Sequence, residues 1–235
     1  MYTVSLMQPY FFPYLGYFDL LSNSDVFVFY DDAAFSKNGW YNRNRIYNPS
    51  REWEYIRLSV RKSPLQTPCN LVALADKDKD RAKLLQQLGQ YKKAPFYQPV
   101  MDLVEKTFAN SDDDLASVTI TSVELCANYI GLDCQVKKSS EMTYDQNGNA
   151  LSKVLDICKI TQAERYLNVP GGRALYSSGD FDKEGLTLAF TQSNAIQYDT
   201  AGRDFVPYLS ILDALMWVSP DVLKQKFSQR GTLNA

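Results

Sequence analysis

Two aspartates, two arginines and a pair of glycines are the groups in this chain whose types and spacing could do chemistry. Asp31 and Asp32 end an apolar run, "VFVFYDD". Adjacent carboxylates in that position could bind Mg²⁺, accept sugar hydroxyls or take a proton from an attacking group. They could equally do no more than cap the turn that follows. A few residues later comes "KNGWYNRNRI", with Lys37, Trp40, Asn42, Arg43, Asn44 and Arg45. A guanidinium grips phosphate with two parallel donors, and asparagine adds neutral hydrogen bonds. In an extended segment Arg43 and Arg45 share one face and Asn42 and Asn44 the other, so only half the set can meet one ligand. A solvated, ion-paired loop is the alternative. The third group, "NVPGGRALY", holds Gly171, Gly172, Arg173 and Tyr176. Paired glycines let a backbone approach a phosphate or a sugar. The spacing matches neither GxGxxG nor the Walker A pattern, so a plain turn accounts for it unless other elements bring a ligand there.

The chain contains no histidine among its 235 residues. A Ser-His-Asp triad, a histidine base and a histidine metal ligand are therefore excluded. Acid-base work falls to Asp, Glu, Lys, Tyr or Cys. The four cysteines, Cys69, Cys126, Cys134 and Cys158, show no CxxC spacing and read as buried free thiols. A net charge of −2 offers no bulk attraction for nucleic acid. The start, "MYTVSLMQPY", lacks a basic stretch followed by a long apolar run, and no apolar run is long enough to span a membrane. A cytoplasmic protein is expected.

The elements that must position these groups follow from periodicity. Residues 3–7 read as a buried strand, 14–21 as a short helix and 26–30 as a second buried strand. Strand, loop, helix and strand make a βαβ unit. Strands are expected at 53–60 and 70–74. A mainly helical insertion is expected at about 79–131, inside one α/β domain spanning 1–235. The αβ rhythm then resumes: strand 134–136, helix 150–160, strand 164–169, loop 170–181, strand 186–190 and a closing helix. In that helix Ser210 reads as the N-cap and Asp213 as the box-like acid three residues on. The strand ends carry Gln8, Asp31, Asp32 and Ser140, and α/β proteins bind ligands outside such ends.

"QPYFFPYLGYFDLLSNSDVFVFYDD" with "WYNRNRI", "YLNVPGGRALY" and "FVPYLSILDAL" resembles the WbqC-like family along nearly the whole chain. The resemblance implies a role in bacterial surface polysaccharide (O-antigen, lipopolysaccharide) biosynthesis. It implies transfer of an acyl or aminoacyl group, glycyl or another, to a nucleotide-linked amino sugar. A weaker likeness ties the first βαβ unit to HUP-type nucleotide-binding enzymes, which include ATP-dependent amide ligases. Their histidine pair has no counterpart here. The expectation is a Rossmann-like, mostly parallel sheet of HUP type. Asp31, Asp32 and Lys37 are the candidate catalytic residues. Gln8, Tyr10, Tyr14, Trp40, Asn42, Arg43, Arg45, Ser140, Gly171, Gly172, Arg173 and Tyr176 are the candidate binding residues. No protein-held metal is assigned, and ATP with Mg²⁺ stays open as a cofactor. A non-catalytic sugar-nucleotide-binding protein is the remaining alternative.

Overall fold

Apolar runs flanked by acids become strands here, because a sheet covered on both faces rewards side chains on both. The computed structural model describes residues 1–37, 39–109, 112–192 and 194–235. The chain opens with β1 (Thr3–Met7), α1 (Leu15–Ser22) and β2 (Val26–Phe29). A hairpin follows, β3 (Arg43–Asn48) and β4 (Glu52–Arg57). Three helices come next: α2 (Lys77–Leu88), α3 (Tyr97–Phe108) and α4 (Leu115–Ile130). Then come β5 (Gln135–Lys138), α5 (Ala150–Ile160), β6 (Arg165–Asn168), α6 (Ser178–Asp182) and β7 (Thr187–Phe190). The chain ends with α7 (Ile211–Trp217), α8 (Pro220–Ser228) and a short β8 (Leu233–Asn234).

The main sheet runs β5-β2-β1-β6-β7-β8, with every pair parallel except β7 with β8. Counted by chain order within this sheet, that is the doubly wound order 3-2-1-4-5-6. The fold is α/β with a mostly parallel, Rossmann-like sheet, as expected. Alternation places Phe27 and Phe29 in a large core with α1, α3, α4, α7, α8 and the hairpin. It places Val26 and Val28 in a smaller core with α5, Tyr166 and Phe181. Residues of α2, α3 and α4 share the large core with α1 and α7.

Three expectations need correction. Residues 70–74 form no strand; a 3-10 turn at Cys69–Leu71 and single bridges stand there, since Pro68 and Asn70 favour turn geometry. The loop expected over 170–181 is largely wound, as a 3-10 segment at Pro170–Leu175 and then α6, because Pro170 stands at its first turn. The β3 segment is a paired strand, so Arg43 and Arg45 share a face as the extended reading expected, and the solvated-loop alternative falls away. Asp213 completes no capping box. Ser210 does cap α7, through Leu212 N, but its hydroxyl also donates to the Phe12 carbonyl at 2.7 Å.

Candidate active site

The aromatic loop after β1 divides its side chains between core and surface. Phe11 and Phe12 are fully buried. Phe12 sits at φ 41°, a left-handed conformation that costs a non-glycine residue about 1–2 kcal/mol. Its surroundings over-determine that conformation. Ser122 Oγ accepts from Phe12 N at 3.1 Å, and the Phe12 carbonyl accepts from Asn44 Nδ2 at 2.9 Å and from Ser210. With the two phenylalanines pinned inward, Tyr10 and Tyr14 are left to line cavities.

The first cavity, of about 240 Å³, lies beyond the C-terminal ends of β1, β6 and β7. Tyr14 to Gly16 at the start of α1, Val169 to Gly171 after β6, and Thr191 with Gln192 after β7 line it. Tyr198, Phe205 and Tyr208 close it from the loop before α7, and Arg230 enters from beyond α8. β1 and β6 are neighbours from which the chain winds to opposite sides, so this is the switch point of the sheet. A second cavity of about 270 Å³ is lined by Tyr10, Tyr14, Trp40, Asn44, Arg45 and Tyr208. The two share Tyr14 and Tyr208, whose rings meet edge-on with centroids 6.1 Å apart. Tyr208 holds φ 59°, a second left-handed non-glycine, and its carbonyl accepts from Arg45 Nη2 at 3.3 Å. Each cavity alone is below the usual ligand-site range of ~300–1,000 Å³; joined, they enter it.

The charges of the inner cavity are balanced. Arg230 Nε donates to Asp19 at 2.8 Å, and its Nη2 donates to the Gln192 and Asn194 carbonyls, each at 3.1 Å. Burial pushes the Asp19 carboxyl up, and Arg230 pulls it part of the way back. Burial, with Tyr10 and Tyr208 nearby, pushes the Tyr14 hydroxyl up to about 12, so it is a hydrogen-bond donor at neutral pH. Tyr198 is raised further by burial and by Asp213, to which it donates at 2.6 Å. No carboxylate lines either cavity among the described residues.

The WbqC-like protein family model matches residues 8–225. The chain belongs to the WbqC-like protein family. It is also 24% identical over 230 residues to the Mycobacterium tuberculosis protein printed as "Uncharacterized protein Rv1507c", covering 95% of this chain and 98% of that one. No solved structure matches. No helix is long and apolar enough to cross a membrane among the described residues.

In this WbqC-like chain the sequence-predicted residues fall into three places. Tyr10, Tyr14, Trp40, Arg45 and Gly171 line the two cavities. Arg43 lies beside Arg45 on the same face of the hairpin, 4.9 Å over the Tyr55 ring. Gln8 stands at the edge, where its Oε1 accepts from the Tyr10 hydroxyl at 3.2 Å. Asn42 faces the other way, and its Nδ2 donates to the Leu58 carbonyl at 2.9 Å. Gly172 is buried where a Cβ would run into the Asn168 side chain. Arg173 stacks 4.4 Å over Phe190, and Tyr176 packs against Tyr166 and Phe181. Lys37 is exposed and lines neither cavity.

Asp31 and Asp32 clamp the end of β5 to the end of β2. Asp31 is buried and accepts from Ser139 Oγ at 3.1 Å, Ser140 N at 3.0 Å and Ser140 Oγ at 2.6 Å. Asp32 accepts from Ser139, from Tyr144 at 2.7 Å and from Gln146 at 3.2 Å. Each carboxylate oxygen thus accepts at least one hydrogen bond, while Asp31 and Ser140 also line, with Asn70, Asp114, Lys138 and Glu141, a third cavity of about 200 Å³. No group of three or more His, Cys, Asp or Glu is placed to hold a metal among the described residues. Asp31→Ala is expected to cost about 1–3 kcal/mol of stability by orphaning the Ser139 and Ser140 donors. Ligand affinity in the first two cavities should stay within twofold. Urea unfolding alongside calorimetry checks both, and a tenfold affinity loss would bring Asp31 back into the site.

The sequence reading missed Arg230, Gln192, Asn194, Tyr198, Phe205 and Tyr208. Five of them lie after β7 in a stretch with no regular period, and Arg230 comes from the far end of the chain. Nor are the cysteines available as nucleophiles. Burial pushes the Cys134 and Cys158 thiols up to about 12, and Cys69 and Cys126 are raised further.

Proposed function

We propose that this WbqC-like protein is an enzyme of bacterial surface polysaccharide (O-antigen) biosynthesis. It binds a nucleotide-linked amino sugar and transfers an acyl or aminoacyl group, of the glycyl type, to the sugar's amine. The observation that supports this reading is the pair of adjacent cavities at the switch point, with shared aromatic walls and Arg45 lining the second. The neutral amine attacks the carbonyl carbon of an activated acyl donor. A C–N bond forms, the bond to the donor's leaving group breaks with its electron pair, and the amine's proton passes to water. No lining carboxylate is asked to take it. Tyr14, held protonated, can donate to the oxyanion that develops on the acyl oxygen. The reading implies a cytoplasmic enzyme, where nucleotide sugars and activated acyl donors meet.

Two other readings each have an observation in favour. The doubly wound strand order suits ATP-dependent amide ligation, which would release AMP or ADP. The Asp31 and Asp32 environment does not fit a protein-held Mg²⁺, so no step is routed through one. The absence of a lining carboxylate suits a non-catalytic binding protein, which would bind without turnover.

The test is calorimetry with dTDP- and UDP-linked amino sugars and with ATP plus Mg²⁺, followed by mass spectrometry with glycine and an activated glycyl donor. Binding of a sugar nucleotide, weakened about tenfold or more in Arg45→Ala, is expected. So is a product heavier by one glycyl group. AMP beside the product would favour the ligase, and binding without a product would favour the non-catalytic protein.

A further inference from the structure

The register of the β3–β4 hairpin gathers three arginines with Tyr55 and Trp53 on one face, where Tyr47, opposite Trp53, is taken up by Arg203. Arg43 pairs with Arg57 and Arg45 with Tyr55, while Trp53 stands two residues along β4 from Tyr55. Side chains two apart on a strand share a face, so all five stand together. The Arg43 and Arg57 guanidinium groups lie 4.9 and 4.8 Å from the centre of the Tyr55 ring. The Arg45 guanidinium lies 5.5 Å from the Trp40 ring centre and 5.2 Å from that of Trp53. Glu54 points to the other face, where it accepts from Asn48 at 2.8 Å and Gln87 at 2.7 Å. A chain of net charge −2 has therefore concentrated positive charge on one strip with no hairpin carboxylate between the arginines.

Stacking holds the Arg45 and Arg57 guanidinium planes in place, and guanidinium edges are the natural grip for phosphate oxygens. Arg45 Nε is buried with no hydrogen-bond partner among the described residues. Trp40 and Arg45 also line the outer cavity, so the strip continues the crevice outward. The inner cavity is different: the one guanidinium that lines it among the described residues, Arg230, is paired with buried Asp19. An uncharged ring suits that inner space, and an anionic, planar group suits the strip.

We propose that this hairpin face is the nucleotide subsite. The diphosphate lies across Arg45 and Arg57, the base stacks on the Trp53, Tyr55 and guanidinium planes, and the sugar points inward to Gly171 and Tyr198. The proposal rests on the sugar-nucleotide reading of the crevice and adds the direction in which the ligand lies. Arg57, Tyr55 and Trp53 become specificity residues for the nucleotide half.

Calorimetry with UDP, dTDP, inorganic pyrophosphate and a ten-nucleotide thymidine oligomer tests it, on the full chain and on Arg57→Ala and Tyr55→Leu. Circular dichroism checks that both variants fold. Expected are UDP or dTDP binding that weakens about tenfold in Arg57→Ala and falls steeply with salt. Tyr55→Leu should weaken the nucleotides but leave pyrophosphate within twofold, because only the nucleotides carry a base to stack. Unchanged nucleotide affinity in Arg57→Ala overturns the subsite, as does an oligomer that binds more tightly than either nucleotide. If a sugar nucleotide still binds and reacts in that variant, the functional reading stands without the subsite. If UDP binds through Arg57 but no sugar nucleotide reacts, the subsite stands and the functional reading falls.

Discussion

Asp213→Ala is expected to destabilise the protein by about 3 kcal/mol, because it strips the counter-charge from a part-buried arginine and the acceptor from two tyrosines. Asp213 is fully buried on α7, and its carboxylate accepts four hydrogen bonds. Tyr91 donates at 2.5 Å, Tyr198 at 2.6 Å, and Arg203 in two-pronged fashion at 2.9 and 2.7 Å. Arg203 also lies 3.9 Å over the Tyr47 ring, and Tyr91 in turn accepts from Tyr47 N at 3.1 Å. One carboxylate thus ties α7, the hairpin, the turn after α2 and the loop that closes the inner cavity. Against a total stability of about 5–15 kcal/mol, its loss removes a large fraction. Urea unfolding measures it, and a change below about 1 kcal/mol would show that the network relaxes around the gap. The tyrosines add a pH dependence. Burial and Asp213 hold the Tyr91 and Tyr198 hydroxyls above their ordinary value of 10.0. Above that pH the unfolded chain loses these protons first, so stability falls as pH rises. Asp213→Asn, which removes the negative charge, should make that fall shallower.

Gly16→Ala should nearly abolish ligand binding while the chain still folds. A Cβ at this position would meet the Tyr14 ring well inside contact distance. The backbone of Gly16 belongs to the first turn of α1 and cannot retreat, so the ring must swing. Tyr14 is the wall between the two cavities, and its displacement reshapes both. Overpacking of this kind costs about 1–3 kcal/mol. A modest drop in melting temperature is expected, with at least about a hundredfold loss of sugar-nucleotide affinity, since the crevice no longer admits the ring. Tyr14→Ala in the Gly16→Ala background removes the clash and should restore part of the affinity. A single variant that binds normally would mean that the ligand does not pass Tyr14.

Much of the scaffold was legible in the residues. β1 stands at the residues its apolar run indicated, and α1, β2, β5, α5, β6 and β7 lie within a few residues of their expected places. Apolar runs and helical spacing are local signals, and burial on both faces of a parallel sheet amplifies them. The alternation of Arg43 and Arg45 against Asn42 and Asn44 was legible for the same reason, because a strand's period of two needs only the sequence. The exclusion of histidine chemistry followed from composition alone.

The partners of the polar groups were decided only by the tertiary structure. Asp31 and Asp32 looked like a base or a metal site, and whether they are free depends on Ser139, Ser140 and Tyr144, more than a hundred residues away. Asp213 read as a helix-start acid until Tyr91 and Arg203 were brought to it. The inner cavity draws on the two ends of the chain, with Tyr14 from the first helix and Arg230 from beyond the last. Hydrogen bonds and ion pairs act over a few ångströms in space and carry no sequence period. The local pattern therefore determined the elements and the faces they show, and only their packing at the switch point of the sheet decided which polar groups are consumed in holding the fold and which line the cavities.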